Sequence, residues 1–259
     1  MSQLIKIPGI QLLVKFLHRI VPDRYLQVLI VRGSLSKRHL MLNLRYQMGY
    51  WIGLTEPDLQ ATFKSLIKAG DTVYDVGAEI GYFTILSAIL AQTGRVYAFE
   101  PNPSNLVILS QNVALNKDLQ ITVIPKAVGD REQQVEFLTY AHRTDITNAS
   151  LLGRLAQMEP NSARGRPVAV NMIDLDTFSR SNNSIPNVIK IDVEGAETLV
   201  LAGMKTLLLQ FRPRLIIEVH NPEAEKGVQA HLKENNYTMQ TIGRTFETTY
   251  PFRILCLPN

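Results

Sequence analysis

The sequence is poor in cysteine, with Cys256 as its single thiol. An internal disulfide is therefore excluded. So are disulfide-stapled secreted scaffolds and Cys-rich zinc sites, which need several thiols. We expect a protein of a reducing, cytoplasmic compartment.

Long apolar runs are also missing. The apolar stretches near the N-terminus are interrupted by residues such as Lys15 and Pro22, and none reaches the ~20 residues that a membrane-spanning helix requires. No small-residue cleavage site marks a signal peptide. The sequence predicts neither a transmembrane helix nor a signal peptide.

Excess positive charge is confined to the N-terminal segment. Residues 1–45 hold eight Lys/Arg and one acid, whereas the remainder holds 19 basic and 22 acidic residues. The main body therefore lacks the basic surface typical of nucleic-acid binding, and we expect no nucleic-acid substrate. Apolar residues at helical spacing over 10–21 predict a basic amphipathic helix. This helix either touches an anionic membrane surface peripherally or packs on the rest of the protein or a partner subunit.

From residue 72 onward, short apolar runs alternate with helical patterns. Strands are predicted at 72–76, 95–99, 121–124, 188–193 and 215–219, and helices at 82–91, 104–115, 196–208 and 222–233. A further helical pattern covers 56–69, and two closing strands are predicted at 237–242 and 252–257. Such β-α repetition predicts an α/β fold with a mostly parallel sheet and helices on both faces.

Residues 130–170 interrupt this alternation. They contain a short predicted strand at 135–139 and a polar segment with Arg143, Arg154, Arg164 and Arg166. A long insertion in a compact domain often forms a lid or a binding loop, and plain surface elaboration is the alternative. His142 and Ser150 are weaker candidates for substrate contact.

A glycine-containing turn, DVGAEIG at residues 75–81, lies where the first predicted strand of the sheet ends and a helix begins. Glycines let the backbone approach a ligand closely, and a helix N-terminus offers unpaired N–H groups. The next strand ends at Glu100, 23 residues after Gly77, where a carboxylate can accept hydrogen bonds from both ribose hydroxyls. The pattern predicts a nucleoside-bearing cofactor.

The spacing in this turn narrows the choice of nucleoside. A dinucleotide fingerprint needs glycines at its first, third and sixth positions, which here hold Gly77, Glu79 and Tyr82. Glu79 would repel a diphosphate, and the sequence has no G-x-x-x-x-G-K-[ST] loop for ATP or GTP. A sulfonium cofactor with an amino-acid tail has no phosphate and is positively charged, so it is compatible with Asp75 and Glu79.

Four segments carry motifs: VYDVGAEIGYFT (73–84), GRVYAFEPNPSN (94–105), IKIDVEGAETLVLAG (189–203) and RLIIEVH (214–220). They resemble the FkbM-type methyltransferases over about residues 49–257. The resemblance implies a Rossmann-like class I methyltransferase fold with seven strands, the last antiparallel. It also implies S-adenosylmethionine as cofactor and methylation of hydroxyls on sugars, polyketides or related natural products. We expect a basic helical extension at 1–48 and a methyltransferase domain at 49–259.

The resemblance also implies roles for single residues. Asp75, Gly77 and Gly81 would shape the methionine side of the pocket, Glu100 would hold the ribose, and residues 126–128 would flank the adenine. The expected cofactor contacts are Asp75, Gly77, Ala78, Glu79, Gly81, Tyr82, Thr84, Glu100, Pro101, Ala127 and Asp192. The family usually has Asn at position 79, so Glu79 departs from the family pattern. We expect this change to alter the cofactor affinity or to require a shifted pKa of Glu79.

A second cluster, Asp192, Glu194, Glu218 and His220, follows two later strands. Open α/β sheets bind ligands at this edge, so these side chains should face the transferable methyl. A hydroxyl acceptor must lose a proton, and we expect His220 to take it because the reference pKa of histidine is near neutrality. Asp192 or Glu194 could orient His220 or take the proton, and Asp192 could instead bind the cofactor's ammonium group.

Four alternatives stay open. His220 could cap a strand end through a backbone hydrogen bond. A divalent cation at Asp192, Glu194 and His220 is compatible with their chemistry but not favoured, because such trios are common without metal. The whole protein could be a nicotinamide-dependent oxidoreductase, although Glu79 and Tyr82 stand where a dinucleotide fingerprint needs glycine. It could also be a non-catalytic cofactor-binding or membrane-docking protein. We predict an O-methyltransferase acting on a small-molecule or glycan hydroxyl.

Overall fold

A computed structural model describes residues 21–139, 149–150, 166–243 and 249–259. The predicted helix at 10–21 lies outside these ranges apart from its last residue. His142 and the arginines at 143, 154 and 164 lie outside them as well.

The elements follow one another from a hairpin through the β-α repeats to two closing strands. In chain order they are β1 (Leu26–Leu29), β2 (His39–Leu42), α1 (Leu44–Trp51), α2 (Pro57–Leu66), β3 (Thr72–Val76), α3 (Tyr82–Ala91), β4 (Arg95–Phe99), α4 (Pro103–Leu115), β5 (Ile121–Ile124), β6 (Ala127–Val128), β7 (Gln133–Thr139), β8 (Ala149–Ser150), β9 (Arg166–Ile173), α5 (Leu175–Ser181), β10 (Val188–Ile191), α6 (Glu197–Ala202), a π-helical turn (Leu207–Phe211), β11 (Arg214–Val219), α7 (Pro222–Glu234), β12 (Tyr237–Ile242) and β13 (Phe252–Pro258).

The main sheet has seven strands in the order β12-β13-β11-β10-β3-β4-β5. Neighbours among β11, β10, β3, β4 and β5 pair in parallel, and β13 pairs antiparallel with both β11 and β12. Strand β10 is buried at all four positions, as expected of an apolar strand covered on both faces. The predicted mostly parallel sheet with an antiparallel last strand is confirmed.

Two apolar cores cover the two faces of this sheet. Tyr74 and Val76 of β3 pack with residues of α5, α6 and α7, whereas Val73 of the same strand packs with residues of α2 and α3. Alternate residues of a strand point to opposite faces, which accounts for this division. In the described part of the chain, no helix is both long and apolar enough to cross a membrane.

The part of residues 1–48 that the structure describes is not helical throughout. Strands β1 and β2 pair antiparallel before α1 begins at Leu44, so the predicted helical extension is wrong for these strands. Leu40 and Leu42 of β2 are fully buried in the same core as α2 and α3. Their alternation with His39 and Met41 has the period of two that a half-buried strand requires.

The helix predicted at 196–208 is interrupted. Helix α6 ends at Ala202, and a separate π-helical turn begins at Leu207. A Cβ at Gly203 would lie 2.0 Å from the carbonyl oxygen of Gly129, so the chain passes too close to another backbone for a larger residue. The Asp176 carboxylate then accepts hydrogen bonds from the N–H groups of Thr206 and Leu207, which starts the new turn.

The insertion builds a second sheet in the order β6-β9-β7-β8. The strand predicted at 135–139 is confirmed as part of β7, which pairs antiparallel with β9 along its whole length. We did not predict β9, although Val168, Val170 and Met172 alternate with more polar residues in the sequence. This small sheet stands beside the carboxyl edge of the main one and supplies a wall of the site.

Candidate active site

The turn after β3 is held in a backbone conformation that favours glycine. Gly77 has a φ of +79°, and a Cβ added there would lie 1.8 Å from the carbonyl oxygen of Asp192. The N–H groups of Gly77 and Ala78 both donate to the carbonyl oxygen of Phe99 at 3.0 Å. The turn is thus fixed to the ends of both neighbouring strands, β10 and β4.

A buried cation, Lys190, supports this turn from below. Its Nζ donates to the carbonyl oxygen of Gly77 at 2.8 Å and lies 3.3 Å from Asp75 Oδ1 and 3.4 Å from Asp192 Oδ2. Asp75 also accepts a hydrogen bond from the Thr84 hydroxyl at 2.6 Å. Burial lowers the pKa of Lys190, but the charges of Asp75 and Asp192 outweigh this effect and raise it.

Glu100 lies at the tip of β4 with its carboxylate fixed by backbone donors. The N–H of Glu79 donates to Oε2 and the N–H of Asn102 donates to Oε1, each at 2.8 Å. Burial raises the pKa of Glu100 to about 7 even though both hydrogen bonds oppose it. The Asn105 side chain is a third hydrogen-bond partner of this carboxylate. Because a carboxylate has about four acceptor sites, it can still accept a hydrogen bond from a ligand.

A cavity lies above these residues, and its volume is about 630 Å³ when the open space at its mouth is included. Seven of the predicted site residues line it: Gly77, Glu79, Glu100, Pro101, Ala127, Asp192 and Glu194. The sequence did not single out other lining residues, namely Val76, Phe99, Asn105, Phe137 and Val193. Phe137 belongs to β7, so the insertion forms part of the wall.

The other predicted cofactor contacts lie behind the cavity. Asp75 and Thr84 are almost fully buried and bonded to each other. Tyr82 is also buried and packs against Tyr50, with ring centroids 4.6 Å apart. Ala78 packs with Ala98 and Leu109, and Gly81 precedes α3 with a φ of +88°. Direct cofactor contact by these five residues stays a prediction, and in this structure they support the turn.

His220 joins the acids that follow β10, as predicted. Its Nε2 lies 3.6 Å from Asp192 Oδ1 and 3.5 Å from Glu194 Oε2, and its Nδ1 lies 2.7 Å from Glu197 Oε1. The histidine is therefore held by a carboxylate, not by the backbone bond that we considered as an alternative. Asp192 and Glu194 line the cavity and place the cluster at its edge.

The charges around His220 set its protonation. Burial lowers its pKa, but the hydrogen bond that Nδ1–H donates to Glu197 and the charges of Glu194, Glu197 and Asp192 outweigh burial and raise the pKa to about 9. His220 is thus an imidazolium at neutral pH in this arrangement. Glu197 was not predicted. The available signal was an acid in the first turn of a short, mostly apolar helix.

Glu218 does not join this cluster. Its carboxylate accepts hydrogen bonds from Arg253 Nε at 2.9 Å and from Arg253 Nη2 at 3.1 Å, and the same guanidinium donates to Glu56 at 2.7 Å. Asp192, Glu194 and His220 remain together, with one potential ligand atom from each within 4.8 Å of the others. A divalent cation bound by these three residues remains an alternative, which the sequence analysis did not favour.

A family model for the methyltransferase FkbM domain matches residues 75–242, a range that contains the turn, the cavity and the His220 cluster. The chain belongs to the FkbM methyltransferase family. This membership confirms the resemblance seen in the four motifs. The comparisons give no support to the oxidoreductase or to the non-catalytic alternative.

Named relatives share part of this FkbM-family chain. Hexuronic acid methyltransferase AglP of Haloferax volcanii is 30% identical over 172 residues, which cover 63% of this chain and 62% of AglP. The 31-O-demethyl-FK506 methyltransferase FkbM of Streptomyces tacrolimicus is 27% identical over 199 residues, 67% of this chain and 75% of that protein. A tRNA wybutosine-synthesizing protein 2 homolog of Danio rerio is 30% identical over 109 residues, 42% of this chain and 24% of that protein.

A solved structure shares the fold. The FkbM methyltransferase from Methylobacillus flagellatus KT superposes with a TM-score of 0.53 and 15% identity, covering 93% of this chain and 57% of that one. The chain therefore spans somewhat more than half the length of that protein and about three fifths of AglP. The predicted Rossmann-like methyltransferase fold is confirmed.

We predict that Lys190→Met lowers the free energy of unfolding by ~3–5 kcal/mol, because it leaves the buried Asp75 without its cation. Urea unfolding followed by circular dichroism measures this loss, and Lys205→Met, at an exposed position, is the control. Adding Asp75→Asn to Lys190→Met should restore part of the stability. An equal loss in the single and double variants would contradict the ion pair.

Proposed function

We propose that this protein transfers a methyl group from S-adenosylmethionine to a hydroxyl of a small-molecule or glycan acceptor. Membership of a methyltransferase family supports the reaction class. The observation that carries the proposal is one cavity that has Glu100 in its wall and the His220 cluster at its edge. A cofactor whose ribose is held by Glu100 would place its methyl group beside the His220 cluster.

The cavity fits such a cofactor. Gly77 lines the cavity, and its missing side chain lets the turn pack against the carbonyl group of Asp192. Glu100 keeps acceptor capacity for a ribose hydroxyl. Apolar side chains from β4 and β7, Phe99 and Phe137, line the same cavity and suit a flat base. The bound cofactor would supply a methyl group on a positively charged sulfur.

His220 is the proposed base. The buried Glu197 carboxylate fixes Nδ1 and leaves Nε2 directed at Asp192 and Glu194, beside the cavity. A base must be neutral to accept a proton at Nε2, so His220 has to lose its resting proton before the acceptor's proton is removed. Because the pKa of His220 is raised to about 9, turnover should increase as the pH rises toward that value.

Names of relatives support the acceptor class. The two relatives that cover about two thirds of this chain are named for a hexuronic acid and for 31-O-demethyl-FK506, whereas the one named for tRNA matches a shorter segment. The main body also carries more acids than bases, which disfavours a polyanionic acceptor. We therefore propose a hydroxyl-bearing small molecule or glycan.

We predict that S-adenosylhomocysteine raises the melting temperature of the wild-type protein and that NAD does not. A ligand at 100 times its dissociation constant adds about 2.7 kcal/mol of stability, which differential scanning fluorimetry detects. Glu100→Ala should weaken cofactor binding by roughly 1.5–3 kcal/mol for each lost charge-assisted hydrogen bond. Glu234→Ala, an exposed acid at the end of α7, should leave the shift intact. A shift produced by NAD would overturn the cofactor assignment.

The acceptor class is tested with ¹³C-methyl S-adenosylmethionine and a panel of three probes: glucuronic acid, trans-1,2-cyclohexanediol and bulk tRNA. We expect the label in at least one of the two hydroxyl compounds, found by mass spectrometry as a methyl ether. His220→Asn should lower that turnover while retaining the thermal shift. Label in tRNA alone would contradict the proposed acceptor.

The charge state of His220 is measurable without any acceptor. We predict that its imidazole Cε1–H resonance titrates with a midpoint near pH 9 in the wild type and at least one pH unit lower in Glu197→Gln, since the variant removes the closest negative charge. NMR with ¹³C-labelled histidine follows the titration, and the exposed His39 provides an internal reference. An unchanged midpoint would remove Glu197 as the orienting partner.

A further inference from the structure

Glu79 is an acid of the turn that lines the cavity and has a buried carboxylate oxygen without a hydrogen-bond partner in the described part of the chain. The residue has a φ of +53°, and its N–H donates to Glu100, so its backbone is fixed. The residue is part of the cavity wall. Its Oε1 atom is inaccessible to solvent and has no hydrogen-bond partner among the described residues. A buried polar atom without a partner is unfavourable, and at a ligand cavity it marks the place where a ligand atom belongs.

The nearby cation is already engaged by other groups. Lys190 Nζ lies within 3.4 Å of oxygens of Gly77, Asp75 and Asp192, while Glu79 faces further negative charge. The charged and titratable groups that act on Glu79 are Asp192, Lys190, Glu100, Glu56, Tyr25 and Tyr50. Burial and then the charge of Asp192 raise the pKa of Glu79 to about 8. In the ligand-free protein at neutral pH the carboxyl thus carries a proton.

A cationic ligand in the cavity reverses this balance. S-adenosylmethionine has two positive centres, an ammonium and a sulfonium, and either one would stabilise the ionised carboxylate by Coulomb attraction in a site that excludes water. An amide at this position, as family members usually have, could donate or accept a hydrogen bond but could not ionise. A glutamate at this position can therefore ionise when a positively charged ligand binds, whereas an amide cannot.

We propose that Glu79 is the counter-ion of the cationic cofactor, neutral in the ligand-free protein and ionised in the complex, so that cofactor binding releases one proton to solvent. The proton leaves the Glu79 carboxyl, and the resulting carboxylate pairs with the positive centre of the ligand. This inference rests on the proposed S-adenosylmethionine cofactor. It makes cofactor affinity depend on pH through one group in the wall of the cavity.

Isothermal titration calorimetry at pH 7 in several buffers that differ in ionisation enthalpy measures the proton directly. For the wild type we expect the observed enthalpy of S-adenosylmethionine binding to vary with buffer enthalpy with a slope of about one released proton. Glu100, whose pKa is about 7, can also titrate at this pH, so the difference between proteins is what tests Glu79. Glu79→Gln should release about one proton fewer than the wild type, and Glu136→Gln, an exposed acid on β7, should keep the wild-type slope. Unfolding of each variant without ligand shows whether the fold is retained.

The pH dependence of affinity provides a second measurement. The ionised form binds, so the association constant of the wild type should rise by up to about tenfold per pH unit below pH 8 and level off above it. Glu79→Gln and Glu79→Asn should lose most of this rise, and what remains should level off near pH 7, the pKa of Glu100. Two variants are used so that a misfolded one does not decide the outcome.

The possible failures are distinguishable. If neither S-adenosylmethionine nor S-adenosylhomocysteine binds, the proposed function fails. If S-adenosylmethionine binds with no proton release, or if the release is undiminished in Glu79→Gln, the proposed function stands and the role of Glu79 is wrong. Proton release with both ligands would support pairing with the ammonium, and release with S-adenosylmethionine alone would support pairing with the sulfonium.

Discussion

The site depends on one buried cation. Lys190 occupies the middle of a strand that is otherwise apolar, and the parallel register places it opposite Asp75 of β3. Its Nζ reaches the carbonyl oxygen of Gly77 and the carboxylates of Asp75 and Asp192. Without this charge, two acids at adjacent strand ends would repel each other. The turn could then not approach β10 as closely as Gly77 does, and that approach shapes the floor of the cavity.

Each remaining acid near the cavity is stabilised in a different way. Glu100 accepts two backbone N–H groups, Glu218 pairs with Arg253, and Glu197 holds His220. Glu79 lines the cavity, has a buried oxygen without a hydrogen-bond partner among the described residues and forms none of these pairs. The protein is thus short of positive charge at the point where we propose that a cationic cofactor binds, which connects the electrostatics of the ligand-free site with its proposed ligand.

Sequence reasoning found the parts of the fold that depend on local pattern. The strands β3, β4 and β5 were predicted at their observed bounds because continuous apolar runs ended in turn residues. The break after Ala202 was missed because the Asp176 carboxylate, which accepts the hydrogen bonds that begin the new turn, is distant in sequence. Lys190 and Glu197 were missed for a related reason. A charged residue within a buried element has a role only through partners that the fold brings together.

The central claim is that one cavity holds the cofactor against Glu100 and directs the transferable methyl toward the His220 cluster. A crystal structure of the protein with S-adenosylhomocysteine tests it most directly. The account predicts ribose hydroxyls within hydrogen-bonding distance of Glu100 and a sulfur atom that faces the side of the cavity formed by Asp192 and Glu194. A ligand bound elsewhere, or a sulfur atom turned away from these two residues, would contradict the account.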